Sequence, residues 1–374
     1  MALVAAVGDQ GDDPLRVLAL TRYGRKGASS RMRFEQFIPA LAELGVDVEI
    51  VPLLRDEYIE RLYSRRPKAV WQILGDYLRR LPWLFQARRF DLLWIEKELF
   101  PELPAWFERL LTLFNIRYVV DYDDAIFHNY DLSANPWRHM LRYKIDGVMR
   151  NSKLVVCGNA YLADRAKATG ATRVEIIPTV IDLDRYSVKM KSLSEPLVIG
   201  WVGSAATVKY LDIALPALQL LAKEYPVQLR VVGADFTAPG LDIDCRPWSE
   251  QDEVQQIQAF DIGIMPLADS PWERGKCGYK LIQYMACGIP VVASPIGVNE
   301  EIVEHDASGY LASGTNAWVD ALRNLAVDPD LRYQFGMRGR KLVEDSYCLQ
   351  VVTPRMRSLF EEVSGLGSRS GDTK

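Results

Sequence analysis

The sequence predicts an α/β chain of two doubly wound domains, each a parallel sheet flanked by helices, facing a central cleft. Three observations carry this. Short apolar runs alternate with helical patterns along almost the whole chain, as βαβ units require. Runs such as Leu197 to Gly203 (LVIGWVG) are apolar without alternation, as in strands buried on both faces. At 374 residues the chain is long enough for two cores.

Composition narrows the function classes. The apolar fraction of 49% and charged fraction of 25% are those of a soluble globular protein. A net charge of −4 argues against general nucleic-acid binding. The cysteines Cys157, Cys245, Cys277, Cys287 and Cys348 are odd in number and form no C-x-x-C pair, so reduced thiols in a cytoplasmic compartment are expected. With three histidines and no H-E-x-x-H, a metal centre built on imidazoles is not expected. Residues 1–15 read as a disordered leader, since Leu3 to Val7 is too short for a signal peptide and lacks a basic start. No apolar run approaches the length of a membrane span.

Residues 16–186 are expected to form the first domain. Arg16 to Arg22 is a strand, and Ser29 or Ser30 can cap the helix after it, where Met32, Phe37, Leu41 and Leu44 recur at helical spacing. Pro39 is expected to kink that helix, Gly45 to end it, and Val46 to Leu54 to be the next strand. The G-x-G-x-x-G fingerprint is absent, because Gly24 and Gly27 stand three apart, and a nicotinamide-dinucleotide site is disfavoured. Arg31 and Arg33 read on period alone as a solvated helix face, more so Arg33. Between Arg61 and Phe90 the basic residues are interleaved with Tyr63, Trp71, Tyr77, Trp83 and Phe85. That mixture suits a helix lying on a membrane surface and equally a helical pair packing its rings on a sheet. Asp91 to Leu99, Arg117 to Asp121, Lys153 to Asn159 and Arg173 to Asp182 supply further strands. Asp121, Asp123 and Asp124 follow a strand, where they can act as a base, hold a sugar hydroxyl, bind a cation or cap a helix. The Lys- and Ser-rich stretch 187–196 reads as a linker.

Residues 197–345 repeat the pattern, with 346–374 as a closing helix and disordered tail. After Leu197 to Gly203 come Ser204, Thr207 and Lys209 ahead of a helix carrying Leu211, Leu215 and Leu218, a candidate phosphate cradle. Val227 to Gly233, Ile243 to Trp248, Asp261 to Leu267, Val291 to Ser294 and Gly309 to Leu311 continue the strands, and two helices are expected to finish the domain. Ser249 and Asp252 form a capping-box variant. Trp248 can stack on a nucleobase, although core packing is the usual fate of such a ring.

Gly275 to Val292 (GKCGYKLIQYMACGIPVV) is the most informative stretch. A short helix opens in a glycine turn and stops at Gly288, with Pro290 beyond. Leu281, Ile282 and Met285 share one face with Gly278, and Lys276, Lys280 and Gln283 the other. Such a helix terminus, flanked by lysines at the carboxyl edge of a parallel sheet, suits a phosphate; a crossover helix with a solvated basic face fits the period equally well.

The run Lys280 to Val292 resembles the Lys-x-x-Glu-Tyr-Met-Ala-x-Gly-x-Pro-Val segment of retaining glycosyltransferases of the family 4 type, which have the GT-B fold of two facing Rossmann-like domains. The resemblance implies transfer of a sugar from a nucleotide-diphosphate sugar to a glycan or lipid-linked acceptor, without a metal or other cofactor. Its alternatives are a nucleotide-sugar epimerase, a phosphorylase, or an inactive nucleotide-sugar-binding homologue. It places the donor at Gly203, Ser204, Thr207, Lys209, Trp248, Gly275, Lys276, Cys277, Gly278, Lys280 and Gln283, with Lys209 also catalytic. It places the acceptor near Gly27, Ser29, Ser30 and Arg31, since Ser29-Ser30-Arg31-x-Arg33 resembles a motif of this subgroup. Asp124 and His128 stand where the family has a histidine or acid beside the reacting sugar. Gly297 to Glu301 resembles the family's Gly-x-x-x-Glu turn by the donor sugar. Two departures stand out. Gly275 and Gln283 occupy the positions of the family's Glu-x7-Glu pair, with Glu273 two residues early, and Ser204 stands where an arginine is common. A lipid-linked acceptor would favour the membrane reading of 61–90, with the protein peripheral on the inner membrane face.

Overall fold

The computed structural model describes residues 13–64, 66–67, 69–188 and 195–365. The leader expected at 1–15, the linker at 187–196, the tail after Gly365, and Arg65 and Lys68 lie wholly or largely outside the described residues. Strands β1 (Leu15–Tyr23), β2 (Val46–Leu54), β3 (Leu92–Glu96), β4 (Tyr118–Tyr122), β5 (Leu154–Cys157) and β6 (Val174–Ile176) form one sheet in the order β2-β1-β3-β4-β5-β6. Strands β7 (Leu197–Val202), β8 (Val227–Val232), β9 (Asp242–Arg246), β10 (Ile262–Met265), β11 (Val291–Ala293) and β12 (Gly309–Leu311) form another, ordered β12-β11-β10-β7-β8-β9. Every pairing is parallel. Each sheet reverses strand order beside its first strand, and the crevice outside such a switch point is where ligands bind in open α/β sheets.

The unbroken apolar runs follow from burial on both faces. In the first sheet Leu18, Leu20, Leu93, Ile95 and Val120 enter one core, while Val17, Ala19, Leu92, Trp94 and Val119 enter the core behind it. Successive residues point to opposite faces, so a strand covered on both sides has no polar position.

That second core takes in the closing helix expected within 346–374. Three helices follow β12, at Gly314–Val327, Pro329–Ser346 and Leu349–Ser364. The last leaves the second domain and packs Val352, Met356 and Phe360 on the first sheet, with the Phe360 and Trp94 ring centres 5.1 Å apart. Ile181 N–H donates to Tyr347 O at 3.1 Å and Leu349 N–H to Ile181 O at 2.9 Å, pairing the two crossing segments. Helical period shows that a face is apolar, not which sheet it covers.

The helix after β1 also differs. It is divided into Ala28–Arg33, a tight turn Glu35–Phe37 and Ile38–Glu43, and Pro39 sits in the first turn of the last piece instead of kinking a longer one. Ser30 is not a cap: its hydroxyl donates to Glu96 Oε2 at 2.6 Å and accepts from Tyr23 N–H at 3.1 Å. Arg33, expected in solvent, is 1% exposed. It grips Asp121 through two hydrogen bonds of 2.8 and 3.0 Å and donates to Ile177 O at 2.8 Å. A buried guanidinium needs all of these partners, and they fix the helix to β4 and the exit of β6.

In the basic-aromatic stretch the helix Val70–Gln86 packs one apolar face on the sheet and leaves another exposed. Ile73, Tyr77, Leu81, Trp83 and Leu84 pack on the sheet, and Tyr77 Oη–H donates to Pro101 O at 2.9 Å. Trp71, Leu74, Leu78 and Phe85 point away from the core, with Trp71 85% and Phe85 86% exposed. No described helix is long and apolar enough to cross a membrane.

Candidate functional site

The carboxyl ends of both sheets open onto one cleft of about 860 Å³, within the size range of ligand sites. The first domain lines it with Ser29, Arg31, Asp123 and Asp124 from the ends of β1 and β4. The second lines it with Gly203, Ser204 and Thr207 after β7, Trp248 after β9, and Lys276, Cys277, Gly278, Lys280 and Gln283 around the helix Tyr279–Ala286. Sequence reasoning named all of these. It also named Gly27, Ser30, His128, Lys209 and Gly275, which do not line the cleft.

The helix Tyr279–Ala286 opens at Gly278 with φ +65°, a conformation that suits glycine. Gly278, Tyr279 and Lys280, the start of the helix, all face the cleft. The basic face is not solvated. Gln283 is buried and its Nε2–H donates to Tyr186 Oη at 3.0 Å. Lys280 is half-buried as a residue, with its ammonium 4.4 Å from the centre of the Trp201 ring. Burial, then the Lys276 charge, pushes Lys280 down to about 7. No carboxylate pairs with it among the described residues. An ammonium in that state gains most when an anion arrives.

Lys276 and its neighbours join the domains. Lys276 Nζ lies 2.9 Å from Asp124 Oδ1, and Asn159 Nδ2–H donates to Lys276 O at 2.9 Å. Cys277 Sγ–H donates to Asp123 O at 3.0 Å, and burial pushes its thiol up to about 12, so it is a packing group and not a thiolate. Gly275 is a close approach, because a Cβ there would stand 2.5 Å from Ala125 Cβ, and Gly158 is another, where a Cβ would stand 2.2 Å from Cys277 Sγ. This explains the missing first glutamate of the family pair: no side chain fits at 275 while the lobes are together. Glu273 does not replace it. Its carboxylate accepts from Tyr210 and Ser270, whose hydrogen bonds hold it below the usual carboxylate range despite burial.

The loop after β7 turns the other way. Ser204 N–H donates to Thr207 Oγ1 at 3.2 Å and the Thr207 hydroxyl donates to Ser204 O at 3.1 Å. A tight turn at Val208–Tyr210 then aims Tyr210 into the cleft and leaves Lys209 exposed. Lys209 thus lies outside the cleft lining.

The acids of the first domain are matched one by one with cations. Asp121 holds Arg33, and Asp124 holds Lys276. Asp123 holds Lys97 at 2.7 Å; burial raises its pKa, and the Lys97 ammonium overcomes that and draws it down to about 2. Lys97 was missed, because in WIEKEL it reads as a strand residue. Its φ of +64° is unusual for lysine, and its ammonium is held by Asp123. His128 bonds Asp131 at 2.8 Å and Tyr161 at 2.9 Å, away from the cleft. Arg31 stays at the cleft: it donates to Arg25 O at 3.2 Å, stacks 5.2 Å from the centre of the Trp248 ring of the other domain, and its buried Nε bonds no described group. Gly297 and Glu301 lie outside the lining.

Two facing Rossmann-like domains with a cationic helix terminus in the cleft between them define the GT-B class. Residues 196–328 match the family model described as glycosyl transferases group 1. The chain is 27% identical over 267 residues to a D-inositol 3-phosphate glycosyltransferase of Corynebacterium urealyticum, covering 61% of each chain. It is 27% identical over 267 residues to the putative colanic acid biosynthesis glycosyltransferase WcaL of Escherichia coli, covering 63% of each. The matches span between 29% and 63% of the length of the first four curated relatives. Among solved structures, sucrose-phosphate synthase of Thermosynechococcus elongatus superposes with a TM-score of 0.68 at 15% identity, covering 94% of this chain and 100% of that one. Anabaena HepE in complex with UDP-glucose gives 0.66 at 15% identity, covering 93% and 99%. The second domain thus resembles group 1 glycosyltransferases, and the chain has the GT-B fold.

Proposed function

We propose that the chain is a retaining glycosyltransferase that moves a sugar from a nucleotide-diphosphate sugar to a glycan or lipid-linked acceptor. One observation carries the reading: Lys280, desolvated and without an acidic partner among the described residues, lines the cleft with Lys276 at the start of the Tyr279–Ala286 helix, across from Asp123 and Asp124 of the other domain. The second domain takes the donor. Negative charge on the diphosphate grows as the glycosidic bond breaks, and preorganised ammonium and N–H groups lower that barrier without reorganising. The acceptor hydroxyl enters from the first domain. Its oxygen attacks the anomeric carbon on the face the diphosphate leaves, and its proton passes to a departing phosphate oxygen, so configuration is kept. Family resemblance supports this route, and contact of the lobes through Gly275, Cys277 and Lys276 favours exclusion of water. HepE, with its UDP-glucose complex, makes UDP-sugars the first donors to test.

Thermal shift against UDP, GDP and ADP and their sugar conjugates tests the donor reading, because a ligand that binds the native state raises its melting temperature. A transferase should then slowly release nucleoside diphosphate without acceptor. A pure binding protein would not, and an epimerase would interconvert donors instead.

The exposed apolar face of Val70–Gln86 supports a lipid-linked acceptor. Trp71, Leu74, Leu78 and Phe85 lie on one side with Arg79, Arg88 and Arg89 exposed nearby, a combination suited to an anionic membrane surface. Co-sedimentation with phosphatidylglycerol vesicles should be lost in the double variant Trp71→Glu, Phe85→Glu. Equal sedimentation of both proteins would remove the membrane from the proposal.

A further inference from the structure

An ion pair joins the two lobes across the cleft. Lys276 Nζ of the second domain lies 2.9 Å from Asp124 Oδ1 of the first, and both residues line the cleft. Other ion pairs between the lobes, such as Arg25 with Glu250 at 3.1 Å, lie outside the lining. The Lys276 and Asp124 side chains are 27% and 24% exposed, so a ligand entering the cleft reaches the pair.

Lys276 also belongs to the cationic end of the donor side. Burial, and then the Lys276 charge, pushes Lys280 down to about 7, so the two ammoniums feel one another. Both gain when one diphosphate is shared between them. That diphosphate finds Lys276 already held by a carboxylate. An ammonium has three donors, but a carboxylate and a phosphate on the same ammonium stand close enough for their charges to repel.

The surroundings permit an exchange of partners. The Lys276 main chain is anchored, since its carbonyl accepts from Asn159 Nδ2–H at 2.9 Å and the Cys277 thiol donates to Asp123 O at 3.0 Å. The flexible four-carbon side chain turns about that anchor. Asp124 keeps a second cation nearby: Lys97 Nζ holds Asp123 at 2.7 Å and stands 3.8 Å from Asp124 Oδ2. Departure of Lys276 therefore leaves no carboxylate stranded.

Resting on the donor-site reading above, we propose that Lys276 exchanges partners, pairing with Asp124 while the cleft is empty and with the donor diphosphate when it is filled. Asp124 is then a built-in competitor of the donor. The direct tie between the lobes gives way to one made through the ligand, and Asp124 Oδ1 is freed only when a diphosphate is in place.

Calorimetric titration of the full chain with UDP, GDP and ADP reads the competition. Asp124→Asn should bind the tightest of the three about fivefold more tightly than wild type does, the upper end for a partly exposed ion pair. Removing a carboxylate also relieves plain repulsion of an anion, so the same change is made in Lys276→Met. There the gain should shrink below about twofold, because the two residues act as a unit. Equal gains in both backgrounds would assign Asp124 a field effect alone, and weaker binding by Asp124→Asn would deny the competition; either result overturns the exchange. A crystal structure of wild type with the nucleoside diphosphate needs no variant. Lys276 Nζ should lie about 2.7–3.2 Å from a phosphate oxygen and out of hydrogen-bond reach of Asp124. An ammonium still bonded to Asp124 would refute the exchange while leaving the donor site standing. A nucleotide bound by Asp124→Asn and not by wild type would show the pair masking the site, as the exchange requires. If neither protein bound any of the three, the donor-site reading would fall and the exchange with it.

Discussion

The Gly203–Lys209 loop and the Gly275–Gln283 segment end parallel strands of the same sheet, border the same cleft and carry similar residues. They use them differently. In the first, Ser204 and Thr207 bond to one another and the turn sends Lys209 outward. In the second, Gly275, Lys276 and Cys277 contact the other domain, and Lys280 is left over the Trp201 ring without an acidic partner among the described residues. A loop that satisfies itself has little to offer a ligand, whereas one whose charge is unsatisfied keeps its interaction energy for the ligand. On the proposed function, the anion-binding strength of the cleft accordingly sits in the second segment.

The sharpest way to break this contrast is Lys280→Met. Turnover measured as nucleoside diphosphate release should fall about 100- to 1,000-fold, the usual loss for a preorganised charge-stabilising donor. The melting temperature should hold or rise, since a desolvated ammonium beside Lys276 is removed. Gly275→Glu restores the family residue but places its Cβ on Ala125, so it should separate the lobes. A loss of about 100-fold is expected from misplacement alone, with an enlarged radius of gyration in X-ray scattering. An unchanged radius would mean that the closed arrangement does not depend on the glycine.

Titration sharpens the comparison further. Lys280 is held down at about 7, chiefly by burial. A bound diphosphate favours the charged ammonium and raises its pKa, so binding takes up a proton. Affinity for UDP-glucose, whose phosphates do not titrate near neutrality, should be full below pH 7. It should then weaken, by at most about tenfold per pH unit, as pH rises from 7 toward the pKa of the complex. In Lys280→Met that slope should vanish. The smallest effect belongs to Lys209→Ala, an exposed position whose removal should change kcat/KM by no more than about threefold. A loss near that of Lys280→Met would restore the role the sequence pattern gave it.

The same contrast shows what could be read in advance. The alternation of strands and helices and the glycine punctuation at 278 and 288 were legible because they are local. Residues with one steric option were legible too, and Gly278, Lys280 and Trp248 do line the cleft. What was hidden depends on partners distant in sequence. Arg33 looked solvated because Asp121 lies 88 residues away. The helix Leu349–Ser364 could not be assigned to the first sheet from its own period. Lys97 sat in a pattern that read as plain strand. The direction of Lys209 hinged on one turn, and position 275 showed its meaning only once Ala125 stood opposite it.

The most direct measurement is a crystal structure of the protein with UDP bound. Diphosphate oxygens should lie within about 2.7–3.2 Å of Lys280 Nζ and of N–H groups at the start of the Tyr279–Ala286 helix, with Lys209 still in solvent. A diphosphate held instead by the Ser204–Lys209 loop, with Lys280 untouched over Trp201, would contradict the assignment of the anion site.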